Sequence, residues 1–416
     1  MNRKQVAAWA LFDFANSAYP AVISAAIFGA YYANTVVGNE SGLGDLWWTR
    51  AMSLSALIVA VSSPALGSVA DRAGVRKKML FLYTVMCVMF VSLFVTIEPG
   101  MVVWGFLLAV LANIGFEGAM VFYNAYLPDL APPERRGFVS GLGFGVGYAG
   151  SIAALLIAYP LLARGHYDLT WLSVAAFFAV FSIPSFLFLP RDQPGEKTLL
   201  RAAYEGVVGF RGLVREVLRE RELRRFLLAF FFYIDGVLTV IIVAGPYAEK
   251  TLGFGATERI LLFLVVQISA LVGALGLAKP TDVWGPKRVI TLTLLLWTSL
   301  TVATFFVYSK TGFFVVAVLA GFGLGAVQAA SRAMMAALIP KGKEAEMFGF
   351  YAFCGKSSSV LGPLLFGVVS YALAGNQRAA VLTVGAFFLI GLVLLQRVTD
   401  PAVARPAASK RGASQS

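Results

Sequence analysis

Charge is scarce in this chain: only 13% of its 416 residues are Asp, Glu, Lys or Arg, against 59% in the hydrophobic set. So little polar surface cannot cover a water-soluble globule of this length, which excludes that class. Histidine is all but missing, with His166 alone, and cysteine contributes only Cys87 and Cys354, both inside apolar runs. A disulfide framework, a Cys- or His-based metal site and a Ser-His-Asp arrangement at membrane depth therefore have no support, and neither enzyme chemistry nor a cofactor is expected. His166 reads as a surface residue and the cysteines as small packing residues. No cleavable leader is indicated, because the first apolar run carries Asp13 and Asn16 and continues well past a signal core.

Long apolar runs are what the chain has in plenty. A helix crosses the ~30 Å hydrocarbon core with about 20 mostly apolar residues, its backbone groups bonded internally. Twelve such runs lie near 8–36, 50–70, 79–97, 101–127, 137–163, 170–189, 226–248, 259–278, 289–308, 312–338, 347–373 and 379–396. The expectation is an all-α integral membrane protein, with the lipid bilayer as a partner. A net charge of +12 can signal nucleic acid, but the placement of the 34 Lys and Arg residues answers a different question. With the N-terminus inside, six fall in outer loops (Arg50, Arg164, Lys250, Arg259, Lys310, Arg378), two within spans, and the other 26 in the termini and inner loops. That bias is the positive-inside rule, with both termini cytoplasmic. A cell membrane is the expected location, and nucleic acid is not an expected partner.

A long polar segment divides the runs into two sets of six. The expected organisation is a six-helix bundle over 1–190, a cytoplasmic linker over 191–225, a second six-helix bundle over 226–400 and a disordered tail over 401–416. In the linker, Leu199, Leu200, Ala203, Val207, Phe210, Val214, Val217 and Leu218 recur at three- and four-residue steps opposite Arg201, Glu205, Arg215 and Glu222. That period predicts an amphipathic helix on the inner membrane face. Two features also recur between the sets. The stretch Gly67 to Lys77 has a worn copy, Asp282-Val283-Trp284-Gly285-Pro286-Lys287-Arg288, with Asp282 placed 211 residues after Asp71. Pro128 and Gly137 stand nine apart, as do Pro340 and Gly349, at an offset of 212. Two anchors at nearly one offset argue for an internal repeat, hence for two pseudo-symmetric bundles.

The spacing Gly-x-x-x-Asp-Arg-x-Gly-x-Arg-Lys is complete at Gly67, Asp71, Arg72, Gly74, Arg76 and Lys77, and it resembles the signature loop of the major facilitator superfamily. Gly67 permits close helix approach, Gly74 a tight turn, and the basic residues hold the loop in the cytoplasm. The resemblance implies that Asp71 contacts a helix N-terminus in the partner bundle and latches one state. Asp282 is its counterpart, with a weaker latch expected where Val283 answers Arg72. Within the superfamily, Phe12-Asp13-Phe14-Ala15-Asn16-Ser17-Ala18-Tyr19, Asp235-Gly236-Val237 with Thr239, and Gly349-Phe350-Tyr351 through Gly355-Lys356 to Gly362-Pro363 resemble the vacuole effluxer-like (UMF) branch. Fungal members of that branch are associated with amino-acid export from the vacuole, so the resemblance implies a secondary active transporter and leaves its substrate open.

Five charges fall inside predicted spans: Asp13, Glu117, Asp235, Arg332 and Lys356. Each costs about 2.5–3.5 kcal/mol at mid-bilayer on insertion scales, so each needs a reason. In the superfamily, spans one, four, seven and ten line the central cavity, and each here holds one charge, with Lys356 on span eleven. At 100° per residue Asp13, Ser17, Pro20 and Ser24 share a face, as do Asn113, Glu117 and Asn124, and Gln328 with Arg332. Together with Asn16, these polar residues are the candidates for binding a small-molecule substrate. The expectation is that a carboxylate among Asp13, Glu117 and Asp235 carries a coupling proton while Arg332 and Lys356 hold an anionic group or act as counter-ions. Permanent ion pairs that only set helix register are the structural alternative.

Two motifs are set aside. Gly145-Val146-Gly147-Tyr148-Ala149-Gly150 has dinucleotide-site spacing and Gly349 to Gly355-Lys356-Ser357 approaches a phosphate loop, but neither follows a strand. Close helix packing explains the glycines better. The expectation is thus a monomeric, proton-coupled transporter of a small polar solute, with amino-acid efflux as the specific form. An exporter of drugs or amphipathic compounds, a membrane enzyme, and a receptor or scaffold with the same fold are the rivals.

Overall fold

The computed structural model describes residues 1–24, 27–39, 42–192, 195, 197–198, 201–202, 210–359 and 361–400. Among the described residues, helix occupies each of the twelve apolar runs, within the spans α1 Arg3–Val37, α2 Leu43–Ala73, α3 Arg76–Thr96, α4 Val102–Leu130, α5 Pro133–Ala163, α6 Tyr167–Phe188, α7 Arg221–Leu252, α8 Thr257–Trp284, α9 Pro286–Phe306, α10 Lys310–Leu338, α11 Glu344–Ala372 and α12 Gln377–Gln396. Among the described residues there is no strand. Several helices outrun the apolar stretch that predicts them, with α2 beginning at Leu43 and α8 ending at Trp284. Past the hydrocarbon core a helix no longer needs apolar side chains, so residues such as Asp45 and Lys279 continue it.

Two helices are irregular. In α1, Tyr19–Ser24 and Tyr32–Val37 are π-helical. Pro20, which has no N–H to donate, stands at the first of these wide turns. In α11 the described helical stretches are Glu344–Ser358 and Leu361–Ala372, and Ser359 is in a turn. The hairpins between α2 and α3 and between α8 and α9 turn on Gly74 at φ 63° and Gly285 at φ 90°, both in the left-handed range that glycine alone enters freely.

Packing sorts the chain into two compact units. One comprises Met1–Tyr126, Val146–Phe210 and Lys341–Phe353; the other comprises Leu127–Gly145, Arg211–Pro340 and Cys354–Ser416. The units therefore differ from the contiguous segments 1–190 and 226–400, because α5 and α11 each change partners along their length. Glycines show why. In the first unit, a Cβ at Gly349 would strike the backbone of Ser63 and Pro64 on α2, and one at Gly150 the backbone of Phe14 on α1. In the second, a Cβ at Gly141 would strike Ala274 and Ala278 on α8, and one at Gly145 would strike Leu275. The glycines of the dinucleotide-like motif are thus helix-packing glycines, facing α8 at one end and α1 further along.

These contacts also correct the register of the repeat. Gly141 matches Gly349, since each packs on the helix that precedes a hairpin, and Gly147, against Asp13 and Ser17 of α1, matches Gly355, against Phe230 of α7. Both pairs are 208 residues apart (349 − 141 and 355 − 147), so Gly137 and Gly349 are not equivalent despite their shared distance from a proline. Of the predicted linker helix, Phe210–Arg219 is helical. Leu199, Leu200, Ala203, Glu205 and Val207, like the tail 401–416, lie outside the described residues.

Candidate functional site

The two hairpin carboxylates each sit at the start of a helix. In the first unit Asp71 accepts from the backbone amides of Ala345 at 3.2 Å and Glu346 at 2.9 Å, in the first turn of α11. Those amides have no partner within their own helix, and the helix dipole favours a negative charge there. A Cβ at Gly67, one turn earlier on α2, would collide with the backbone of Ala345 and Glu346. Gly67 is what lets Asp71 reach. Arg76 lies 3.4 Å from Asp71 and 3.2 Å from Glu344, and it also donates to the Ala125 carbonyl at 3.1 Å. In the second unit Asp282 accepts from the amides of Gly137 at 2.6 Å and Phe138 at 2.9 Å, near the start of α5. In these backbone bonds the two hairpins are alike, since each carboxylate takes two, and one of those to Asp282 is shorter than either to Asp71. The reason is that these bonds need only the carboxylate; Val283, in place of Arg72, is 68% exposed and plays no part in them.

The other sequence candidates fall into small polar groups inside each unit. In the first, Asn16 donates to Asp13 at 3.4 Å, the Ser17 hydroxyl donates to the Asp13 carbonyl at 2.6 Å, and both Asp13 and Asn16 are buried. Asn113 donates to the Ser55 hydroxyl at 2.7 Å and accepts from Tyr19 at 3.4 Å, which ties α4 to α2 and α1. Glu117, one turn on, and Asn124 are half-buried. The stripe predicted from Asp13 to Ser24 does not continue in register, because the π turn from Tyr19 advances less per residue than the 100° on which it was drawn.

In the second unit Asp235 is completely buried, and both its oxygens accept the Gly362 amide at 3.0 Å, in the first turn of the resumed α11. A Cβ at Gly362 would collide with Asp235 and Thr239. Lys356 lies in the last turn before the interruption of α11, half-buried. Arg332 is buried on α10 and donates to Ser140, to the hydroxyl at 3.0 Å and the carbonyl at 2.8 Å, with its guanidinium 4.0 Å over the Phe144 ring. Gln328 is half-buried one turn earlier. One serine hydroxyl, a carbonyl and a ring face thus supply part of the stabilisation a buried cation needs. No group of three or more metal-ligating side chains occurs among the described residues.

A model of the vacuole effluxer Atg22-like family matches residues 48–405. The chain belongs to that family. The protein named "Uncharacterized MFS-type transporter YxiO" of Bacillus subtilis (strain 168) is 31% identical over 415 residues, which is 95% of each chain. Autophagy-related protein 22 of Yarrowia lipolytica is 26% identical over 76% of this chain and 69% of its own. Among solved structures, the human organic anion transporter MFSD10 (TETRAN) matches with a TM-score of 0.76 at 16% identity, covering 94% of this chain and 99% of that one. The fold is that of the major facilitator superfamily, with twelve transmembrane helices in two pseudo-symmetric six-helix bundles. This Atg22-like protein is therefore a multi-pass membrane transporter and not an enzyme.

Sequence reasoning had picked Asp71, Asp282, Asp235 and Arg332 but not their partners. Ala345, Glu346, Gly137 and Phe138 act through backbone amides, which carry no side-chain signal. Ser140 and Ser55 are uncharged and read as ordinary members of apolar runs. Tyr19 and Gly362, by contrast, stand in segments that resemble the family, and the closeness of Gly362 to Asp235 is a reason for glycine there.

Proposed function

We propose that this Atg22-like transporter exports a small polar solute, with amino acids as the first class to test, and couples the movement to protons by alternating access. Its termini and both hairpins face the cytoplasm in this reading, as the Lys and Arg bias requires. The observation that carries the proposal is Asp235. A fully buried carboxylate is costly in a membrane span, and this one is held where α11 resumes, by the Gly362 backbone amide and the Thr239 hydroxyl, both neutral donors. A group held that way can lose or gain a proton with little rearrangement. Asp13, buried with Asn16, and Glu117 are the further carboxylate candidates, and Arg332 and Lys356 the cations for an anionic substrate group. Asp71 and Asp282 act as conformational latches, since each caps a helix start and each such contact can be made or broken as a unit. The effluxer name of the family supports the outward direction.

Reconstituted vesicles test the coupling. Flux of a radiolabelled amino-acid mixture driven by an imposed pH gradient is expected to fall at least about tenfold in Asp235→Asn, the loss of one required protonation step. If Asp13→Asn, Glu117→Gln and Asp235→Asn each leave pH-driven flux intact, proton coupling through them is wrong. Metabolite profiles of cells with and without the gene test the substrate class, and unchanged amino-acid pools would remove amino acids from it.

A further inference from the structure

Each hairpin is also held from a second side. In the first unit the Asp192 carboxylate accepts from the Lys77 amide at 2.8 and 3.0 Å and from the Lys78 amide at 3.4 Å, in the opening turn of α3. These are again helix-start amides without intrahelical partners. Lys77 in turn donates its Nζ to the Leu189 carbonyl at 2.9 Å, just past the end of α6. Three residues beyond Asp192, Gly195 lies so close to Arg72 and Ala73 that a Cβ would strike their backbone, and the Lys197 amide donates to the Arg72 carbonyl at 3.3 Å. The start of the linker therefore grips the chain that immediately follows Asp71.

The second unit has a related arrangement, shifted by one basic residue, since Lys287 is the counterpart of Arg76 and not of Lys77. Lys287 donates its Nζ to the Gln396 carbonyl at 2.9 Å, at the end of α12. Asp400 lies against Gly285, where a Cβ would strike its carboxylate. Asp192 and Asp400 are 208 residues apart (400 − 192), the offset that relates the packing glycines of α5 and α11. Nothing in the hairpin motif predicts either aspartate.

We propose that Asp192, and Asp400 in the second half, are positioning residues for the hairpin carboxylates: each fixes the turn so that Asp71 or Asp282 presents both oxygens to its helix start. The proposal rests on the latch reading of those two carboxylates. A turn built on a left-handed glycine has little stiffness of its own, and Asp71 is separated from that glycine by only Arg72 and Ala73. An anchor on the far side of Gly74, on Lys77 and Lys78, sets the angle at which α2 ends, and the Gly195 and Lys197 contacts set it on the near side.

Backbone hydrogen exchange of the purified full chain in lipid nanodiscs tests this without a substrate. Asp71→Asn serves as the reference and is expected to speed exchange at Ala345 and Glu346 about tenfold, roughly the loss of one charge-assisted bond. Asp192→Asn should speed exchange at Lys77 and Lys78 and, at a distance, at Ala345 and Glu346 by a similar factor. The Asp71→Asn/Asp192→Asn double variant should show no further increase at Ala345 and Glu346, Asp192→Glu should restore protection, and α6 should exchange as before. Asp400→Asn should act in the same way on Gly137 and Phe138. Faster exchange at Lys77 and Lys78 with Ala345 and Glu346 unchanged would overturn the positioning role while leaving the latch intact. An Asp71→Asn variant without effect at Ala345 and Glu346 would instead overturn the latch reading itself.

Discussion

The two hairpins are built from one pattern and stabilised by different means. The first is a charged network: Asp71 shares its environment with Arg76, which also reaches Glu344 and the Ala125 carbonyl. In the second, Asp282 accepts from the Gly137 and Phe138 amides at 2.6 and 2.9 Å, and Val283 stands exposed where the first hairpin has Arg72. In the second unit the carbonyl cap on α10 comes instead from Arg136, which donates to Ala336 at 2.7 Å from the start of α5. What is preserved across the repeat is a carboxylate on a helix start and a cation on a helix end, each matched to the local dipole; the residues that supply the cation are free to change. Sequence decay at Val283 therefore does not measure loss of the Asp282 backbone contacts.

The sharpest way to break the comparison is steric. Gly67→Ala places a methyl inside the backbone of Ala345 and Glu346, which cannot rotate away, so a loss of about 1–3 kcal/mol is expected from overpacking. Gly137→Ala meets the side chains of Thr281 and Asp282, which can give, and should cost less. Thermal unfolding in detergent compares the two, and equal losses would show that the second hairpin is as tightly seated as the first. Charge removal comes next. Asp282→Asn is expected to cost about 2 kcal/mol, because charge-assisted bonds are worth roughly 1.5–3 kcal/mol, and Asp71→Asn somewhat less because it also frees Arg76 for Glu344. A larger loss for Asp71→Asn would mean that the ionic network, not the backbone pair, dominates the first hairpin. The smallest effect belongs to Val283→Arg, which restores the motif at an exposed position and should shift stability by no more than about 0.5 kcal/mol. A clear gain on the same assay would show that the missing cation had weakened the second hairpin after all.

Much of this was legible beforehand for a physical reason. An apolar run of membrane length has few folded options, so the twelve helices, their order and the repeat followed from hydropathy and spacing. Gly67 and Gly74 could be read because close approach and a left-handed turn each restrict a position to glycine. The buried charges Asp13, Asp235 and Arg332 stood out because charge in an apolar run is expensive. Less could be read of what those charges touch. The Gly362 amide that binds Asp235, and the amides under Asp71 and Asp282, exist at every non-proline residue. The shift of Gly349 out of equivalence with Gly137 was equally hidden, since a proline nine residues upstream carried no packing information.

By itself, then, the chain determined its solvent, its helix count, its duplicated plan and the identity of its costly residues, because burial in lipid penalises every exception to an apolar pattern. Tertiary structure alone decided that α5 and α11 each divide between two compact units, that α11 is interrupted beside Asp235, and that Asp192 grips the turn next to Asp71. Those outcomes depend on backbone amides and on carboxylates far apart in the chain, and such pairs have an energy only once folding has brought them together.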